Sequence, residues 1–336
     1  MKEDKILLAH GSGGKLSHEL LEKFFLSFFK NPILEPLDDG AKIPDIAGGL
    51  AFSTDSYVVN PIFFPGGDIG KLAVFGTVND LSMMGAIPSF LSLALIIEEG
   101  FPLEYLKKII FSIKEASEEA KVKIATGDTK VVEHGGADGI FITTSGIGLI
   151  RPGVDLSGSN AKPGDKIIIN GFIGDHEIAV LSEREGFKFQ ELIKSDCAPL
   201  NNLVDKILQK CPNIHCMRDP TRGGLATTLN EIANKSDVGI IIEEEKIPIR
   251  ESVKGICELL GLDPLYLANE GKLIAFCPPE EAENVLKIMR EDPLGKESTI
   301  IGTVIEENKK RVILKTLIGG SRILDMLTGM QFPRIC

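Results

Sequence analysis

Tryptophan is absent from the 336-residue chain and tyrosine occurs only three times. Aromatic platforms for stacking single-stranded nucleic acid are therefore poor. Positive charge is scarce as well. Lysines and arginines number 37 against 48 aspartates and glutamates, a net charge of −11, so nucleic-acid backbones and anionic membrane surfaces are poor partners. No apolar run is long enough to cross a bilayer, which takes roughly 20 residues. The longest, residues 87–97, is interrupted by Pro88. The start, Met1-Lys2-Glu3-Asp4-Lys5, is charged and the apolar stretch after it is short, so no signal peptide is expected and a cytoplasmic location is. Cys197, Cys211, Cys216, Cys257 and Cys277 form no CxxC pair and no zinc spacing, which favours reduced thiols. The Walker A pattern is missing too.

What remains is ordinary for a globular protein: 43% apolar and 25% charged residues, over a length that suits two domains. Strand and helix patterns alternate in both halves without a clean parallel βαβ repeat, which predicts α+β sandwich domains. The turn-rich stretch from Arg151-Pro152-Gly153 to Lys162-Pro163-Gly164-Asp165 reads as the boundary. The expected division is 1–152, 153–316, and a flexible tail over 317–336 opened by Gly319-Gly320-Ser321. Expected elements include a strand at Ile6–Ala9, a helix over Leu16–Phe29, a mostly buried helix over Asp68–Gly85 and a strand at Val122–Ala125.

Carboxylates in unlikely places carry the chemical signal. Asp80 follows Asn79 inside the apolar run 72–84, where an unpaired charge is costly. Asp55 interrupts a strand, Asp128 is expected just after one, and Asp38-Asp39-Gly40 adds a pair. Hard oxygen donors at strand and helix ends suit Mg²⁺ with phosphate oxygens in its remaining sites, although each Asp alone also reads as a cap or turn residue. Gly11-Ser12-Gly13-Gly14-Lys15 is a candidate phosphate loop, and Arg222-Gly223-Gly224 opens a helix in a way that suits an anion; a plain turn and a plain capped helix start are the alternatives. His176 reads more readily as a loop or capping residue than as a base. The chain ends on Cys336, a thiol that a mobile tail can carry into a pocket, or an accident of position.

Asp38-Asp39-Gly40-Ala41, Thr54-Asp55, the run Val78-Asn79-Asp80-Leu81-Ser82-Met83-Met84-Gly85-Ala86 and Gly127-Asp128-Thr129 resemble the ATP-site motifs of the aminoimidazole ribonucleotide synthetase (PurM-like) superfamily. Gly174-Asp175-His176, Arg218-Asp219-Pro220-Thr221-Arg222-Gly223-Gly224-Leu225 and Pro333-Arg334-Ile335-Cys336 resemble the hydrogenase maturation HypE family within it, over essentially the whole chain. Glu177 stands where that pattern has Gly.

The resemblance implies a two-domain PurM-like fold with a flexible C-terminal tail and a homodimer with nucleotide near the subunit interface. It also implies a reaction. Cys336 receives a carbamoyl group from the carbamoyltransferase HypF, ATP drives its dehydration to a thiocyanate, and the cyano group passes to iron on the HypC–HypD scaffold for NiFe hydrogenase. ATP and Mg²⁺ are the implied cofactors. The expected nucleotide set is Gly11, Gly13, Gly14, Lys15, Asp39, Asp55, Asn79, Asp80, Asp128, Arg222, Gly223 and Gly224, with Asp39, Asp55, Asp80 and Asp128 on the metal. Cys336 is the expected carrier, Glu270 the expected base and Lys130 its assisting charge; a turn carboxylate is the plainer reading of Glu270. The rivals are another ATP-dependent synthetase of the superfamily and a non-catalytic thiol carrier. A selenophosphate synthetase needs a reactive Cys in the first glycine loop, where this chain has Ser12.

Overall fold

The computed structural model describes residues 14–20, 22, 41–43, 49–187, 192–329 and 332–336. Its first half contains α1 (Lys15–Leu20), β1 (Ala41–Ile43), β2 (Leu50–Tyr57), the short pair β3 (Phe63–Phe64) and β4 (Gly67–Asp68), α2 (Ile69–Met83), β5 (Ala86–Glu98), α3 (Leu103–Ala120), β6 (Lys123–Val132) and β7 (Ile140–Ile150). Five of these strands form a sheet in the order β1-β2-β7-β5-β6, antiparallel throughout except for the parallel β5–β6 pair.

Strand alternation gives this sheet two different faces. Along β2, Ala51, Ser53 and Tyr57 are buried against the helices, while Phe52, Thr54 and Ser56 are exposed. The register carries the exposed rows across the sheet: Ser56 lies opposite Thr143, Thr143 opposite Ala94, and Ala94 opposite Asp128. The first core fills the helix side and includes Tyr57, Ile69, Leu72, Phe75, Ile109 and Ile113.

α2 is apolar on nearly every side because it is enclosed on nearly every side. Asp68 caps it by accepting from the N–H groups of Gly70 (2.7 Å) and Lys71 (3.0 Å). At its far end Met83 joins a second-half cluster with Leu200 and Leu203. α3 is amphipathic instead, burying Ile109, Ile113, Ala116 and Ala120 on one face.

The second half contains β8 (Lys166–Ile169), α4 (Asp175–Glu185), α5 (Asn201–Lys210), β9 (Cys216–Arg218), α6 (Gly224–Lys235), β10 (Gly239–Glu243), α7 (Glu251–Leu260), β11 (Ile274–Cys277), α8 (Pro279–Arg290), β12 (Thr299–Ile305), β13 (Arg311–Lys315) and β14 (Ser321–Leu324). Its seven-stranded sheet runs β14-β13-β10-β12-β8-β11-β9. The α+β expectation holds, and two details differ from the reading of the sequence. β6 runs on to Val132, so Asp128 is inside a strand rather than after one. Part of the expected tail is sheet: β14 pairs antiparallel with β13, from Val312 opposite Leu324 to Lys315 opposite Ser321. The expected strand at Ile6–Ala9 and most of the helix expected over Leu16–Phe29 lie outside the described residues.

Candidate active site

The last residues of the chain turn inward. Val58 N–H donates to the Cys336 carbonyl and Asn60 N–H to the Arg334 carbonyl, both at 3.1 Å, so the tail runs antiparallel to the segment that follows β2. Ile335 is 7% exposed and joins the first core, with Phe332 packed beside it. Arg334 donates back to the Val58 carbonyl (2.7 Å), pairs with Asp138, and lies over the Phe141 ring.

Cys336 thereby becomes part of the wall of a cavity of about 410 Å³, shared with Thr54, Asp55, Glu177, Arg222 and Gly223. Burial, then the Glu270 carboxyl, push the thiol up to about 12, and Arg222, within hydrogen-bonding reach, opposes them. Glu270 is 4% exposed, and burial together with Asp55, Asp196 and Asp219 raises its carboxyl well above the usual range, with Arg222 again opposing. Arg222 is the shared cation: it donates to Asp55 at 2.8 Å, and that carboxylate raises its already high pKa.

Further carboxyls surround this centre. Burial raises Asp219 to about 6, against the pull of Arg218. Burial raises Glu177 to about 7, although it accepts from the Ala268 N–H at 2.6 Å. Asp196 behaves oppositely: its carboxyl is held below the usual range, burial being overcome by Lys272 at 3.0 Å and by the N–H of Glu270 at 3.0 Å. The cavity thus sets proton-holding carboxyls beside the guanidinium of Arg222 and one sulfur, with Arg334 also on its wall. That arrangement suits moving protons on a small group carried by the sulfur.

The expected residues fall into separate groups. Cys336, Glu270, Arg222, Gly223 and Asp55 come together. Gly223 and Gly224 both take left-handed backbone (φ +67 and +62) to start α6, and a side chain on Gly224 would place its Cβ 2.6 Å from the Leu267 carbonyl oxygen. Asp80 is close by, on the helix side, and accepts from the Ser53 hydroxyl at 2.6 Å.

Asn79 does not line the cavity. Its amide donates to the carbonyls of Ala198 (3.1 Å) and Glu270 (3.2 Å) and its oxygen accepts from Leu200 N–H (2.8 Å), so it fastens α2 to the second half. Gly14 and Lys15 do not line the cavity; the Lys15 N–H donates to the carbonyl of Leu327, which does, at 2.8 Å. Gly11, Gly13 and Asp39 lie outside the described residues.

Asp128 and Lys130 are not brought to Glu270. They pair with each other at 2.9 Å on the exposed face of β6, and Lys130 holds the Asp128 carboxyl below its usual range. Three strand spacings, roughly 14 Å, separate β6 from β2. Asp128 also shares its row with Ser56, whereas Asp55 points to the other face. The physical reason is strand order, with β7 and β5 standing between β2 and β6, which a list of aspartates does not show. Among the described residues no group of three or more His, Cys, Asp or Glu is arranged to hold a metal ion. Sequence reasoning missed Arg184, Asp196 and Lys272, and gave His176 only a loop or capping role. Arg184 lies in an unremarked polar stretch and had no signal; Lys272 had one, its place two residues after Glu270.

Residues 37–150 match the AIR synthase related protein N-terminal domain and residues 162–315 the C-terminal domain of the same family. The fold and the site thus define an AIR synthase-related, PurM-like protein. Carbamoyl dehydratase HypE of Azotobacter vinelandii is 51% identical over 336 residues, covering 100% of this chain and 98% of the relative. A solved HypE in complex with ATP superposes with a TM-score of 0.84 at 50% identity, covering 99% of this chain and 100% of that one. HypE in a HypE–HypF complex gives 0.88 at 52% identity, covering 92% and 99%. This chain belongs to the HypE family of carbamoyl dehydratases. Among the described residues no helix is long and apolar enough to cross a membrane.

Proposed function

We propose that the protein dehydrates a carbamoyl group carried on its own Cys336 to a thiocyanate, at the expense of ATP, and so supplies the cyanide ligand of the NiFe-hydrogenase iron. One observation carries the reading: the terminal sulfur is on the wall of a half-open cavity with Arg222, close enough to Glu270 and Arg222 for both to act on its thiol.

An amide oxygen is a poor leaving group, and phosphorylation by ATP makes it a good one. The carbon–oxygen bond then breaks, oxygen departs as phosphate, and the thiocarbamate nitrogen gives up both protons as the triple bond forms, one to a base and the second with the departing phosphate. Glu270 is the acceptor for the first proton, since a carboxylate raised by burial is a stronger base once ionised. Arg222 balances the carboxylates and the charge that develops beside them. Mg²⁺, when bound with ATP, neutralises charge on the phosphoryl oxygens. Asp55, Asp80 and Asp128, with Asp39, carry suitable oxygen donors, but Asp55 and Asp128 point to opposite faces of one sheet.

The open face of the first sheet bears exposed Phe52, Ile87, Phe90, Ile96, Ile147 and Leu149 around a band of small hydroxyl residues. Such a patch favours pairing with a second copy, the homodimer in which Asp128 and Lys130 gain a role. HypF as carbamoyl donor, the HypC–HypD scaffold as acceptor and a cytoplasmic location complete the proposal.

The test is intact mass before and after Mg-ATP on protein charged by the carbamoyltransferase. The expected result is loss of the elements of one water, confined to Cys336 and absent from Cys336→Ala. A cyano group mapped to an internal cysteine overturns the assignment.

A further inference from the structure

The mechanism above uses neither Arg184 nor His176, yet both touch the tail. Arg184, on α4, spreads its guanidinium over three main-chain carbonyls: Nε to Asn60 (2.6 Å), Nη1 to Pro333 (2.7 Å) and Nη2 to Arg334 (2.6 Å). One side chain thus ties the segment after β2 to two successive residues of the tail. His176 takes the next carbonyl. Its ring is fully buried, edge-on to Phe64, with Nε2 3.0 Å from the Ile335 oxygen and Nδ1 2.8 Å from the Ser195 hydroxyl.

The proton positions follow from the partners. A carbonyl only accepts, so Nε2 carries the hydrogen; burial keeps the ring neutral, so Nδ1 accepts from Ser195, whose oxygen in turn accepts from the Cys197 N–H at 3.0 Å. Every donor in this chain has one fitting acceptor. With Val58 holding the Cys336 carbonyl, the four carbonyls from 333 to 336 are all bound.

These contacts address main chain and leave the Cys336 sulfur uninvolved. They are therefore indifferent to whether that sulfur is a thiol, a thiocarbamate or a thiocyanate. We propose that Arg184 and His176 are positioning residues, a clasp on the tail main chain that delivers Cys336 to the inner cavity and whose loss uncouples dehydration from carbamoyl acceptance. The inference rests on the function proposed above, but its first readout does not.

That readout is the rate at which iodoacetamide alkylates Cys336 in the full-length protein, followed by peptide mass mapping. Alkylation needs thiolate, and burial suppresses thiolate in the docked tail, so the reaction reports the undocked fraction. Arg184→Met is expected to raise the Cys336 rate about ten-fold or more, as loss of charge-assisted hydrogen bonds from the docked state alone implies. His176→Gln keeps one donor for the Ile335 carbonyl and is expected to have a smaller effect in the same direction. Arg184→Lys should fall between wild type and Arg184→Met, because an ammonium lacks the planar fork.

In single turnover on protein charged by the carbamoyltransferase, Arg184→Met should slow dehydration while carbamoyl acceptance and ATP affinity stay at wild-type values. Unchanged Cys336 alkylation in Arg184→Met overturns the clasp and leaves the proposed function standing. Equal rises at Cys336 and at buried Cys211 and Cys216 in both variants overturn it as well, since they reveal unfolding instead. Failure of the function proposal has a different signature, a cyano group elsewhere than Cys336.

Discussion

The two faces of the first sheet carry the same residue types to opposite effect. On the helix side, Asp55 meets Arg222 beneath a docked tail, and the neighbouring carboxyls of Glu270, Asp219 and Glu177 are all pushed upward by burial. On the open side, Asp128 is exposed and paired with Lys130, and its carboxyl is held below the usual range. Burial with unequal charge creates groups that hold and release protons; exposure with a matched partner creates a spectator until something covers it. The proposed acid–base groups therefore all lie within one chain, whereas the open face gains a role only in the homodimer proposed above.

Removing the shared cation is the severest way to break the comparison. Arg222→Met should cut single-turnover dehydration by on the order of 10²-fold or more, because it leaves Asp55 and Glu270 uncompensated beside the reacting group. Near-normal turnover in that variant would show that the inner carboxylates do not depend on Arg222. Asn79→Ala should lower unfolding stability by about 2–4 kcal/mol in urea titrations, from several buried hydrogen bonds lost at one position. If stability holds and ATP affinity falls instead, Asn79 belongs to the nucleotide and not to the joint between the halves.

Glu177 gives a pH-dependent test. Its carboxyl rises from an ordinary 4.5 to about 7 in the folded protein, so the stability it contributes is full below the unfolded value and is lost as pH rises through 7. Glu177→Gln should therefore stabilise more at pH 8 than at pH 5, with a difference of up to about 3 kcal/mol. Equal thermal shifts at the two pH values would mean the carboxyl is ionised when folded. The smallest effect is expected on the open face: Asp128→Asn should leave Cys336 alkylation of the nucleotide-free protein within about two-fold of wild type. A large rise would mean that Asp128 helps dock the tail after all.

Much of this was legible in the sequence for physical reasons. An aspartate inside an apolar run is costly unless used, which singled out Asp80, and the alternation of helix and strand periods gave the α+β class. The run Arg222-Gly223-Gly224 was legible as a helix start, while its left-handed backbone came only with the structure. Other features had no local trace. Whether Asp55 and Asp128 share a face depends on strand register across β7 and β5, which no single segment encodes. Arg184 is one polar residue in an ordinary helix and becomes a tail contact only because the chain's last residues fold back over it. Asn79 entered the expected nucleotide set through its motif; its hydrogen-bond partners, Ala198, Leu200 and Glu270, are over a hundred residues away.

The central claim is that a buried carboxyl of this chain takes the proton from a group on this chain's own last residue. The most direct measurement charges Cys336 with a ¹³C-labelled carbamoyl group, adds Mg-ATP, and follows the carbon by NMR in wild type and in Glu270→Gln. In wild type the signal should move from carbamoyl to nitrile, faster as pH rises and Glu270 ionises. In Glu270→Gln it should stay at the carbamoyl position, or move on the order of 10²–10⁴-fold more slowly, with ATP still bound. A nitrile signal that appears in Glu270→Gln at the wild-type rate and with the wild-type pH profile would contradict the account.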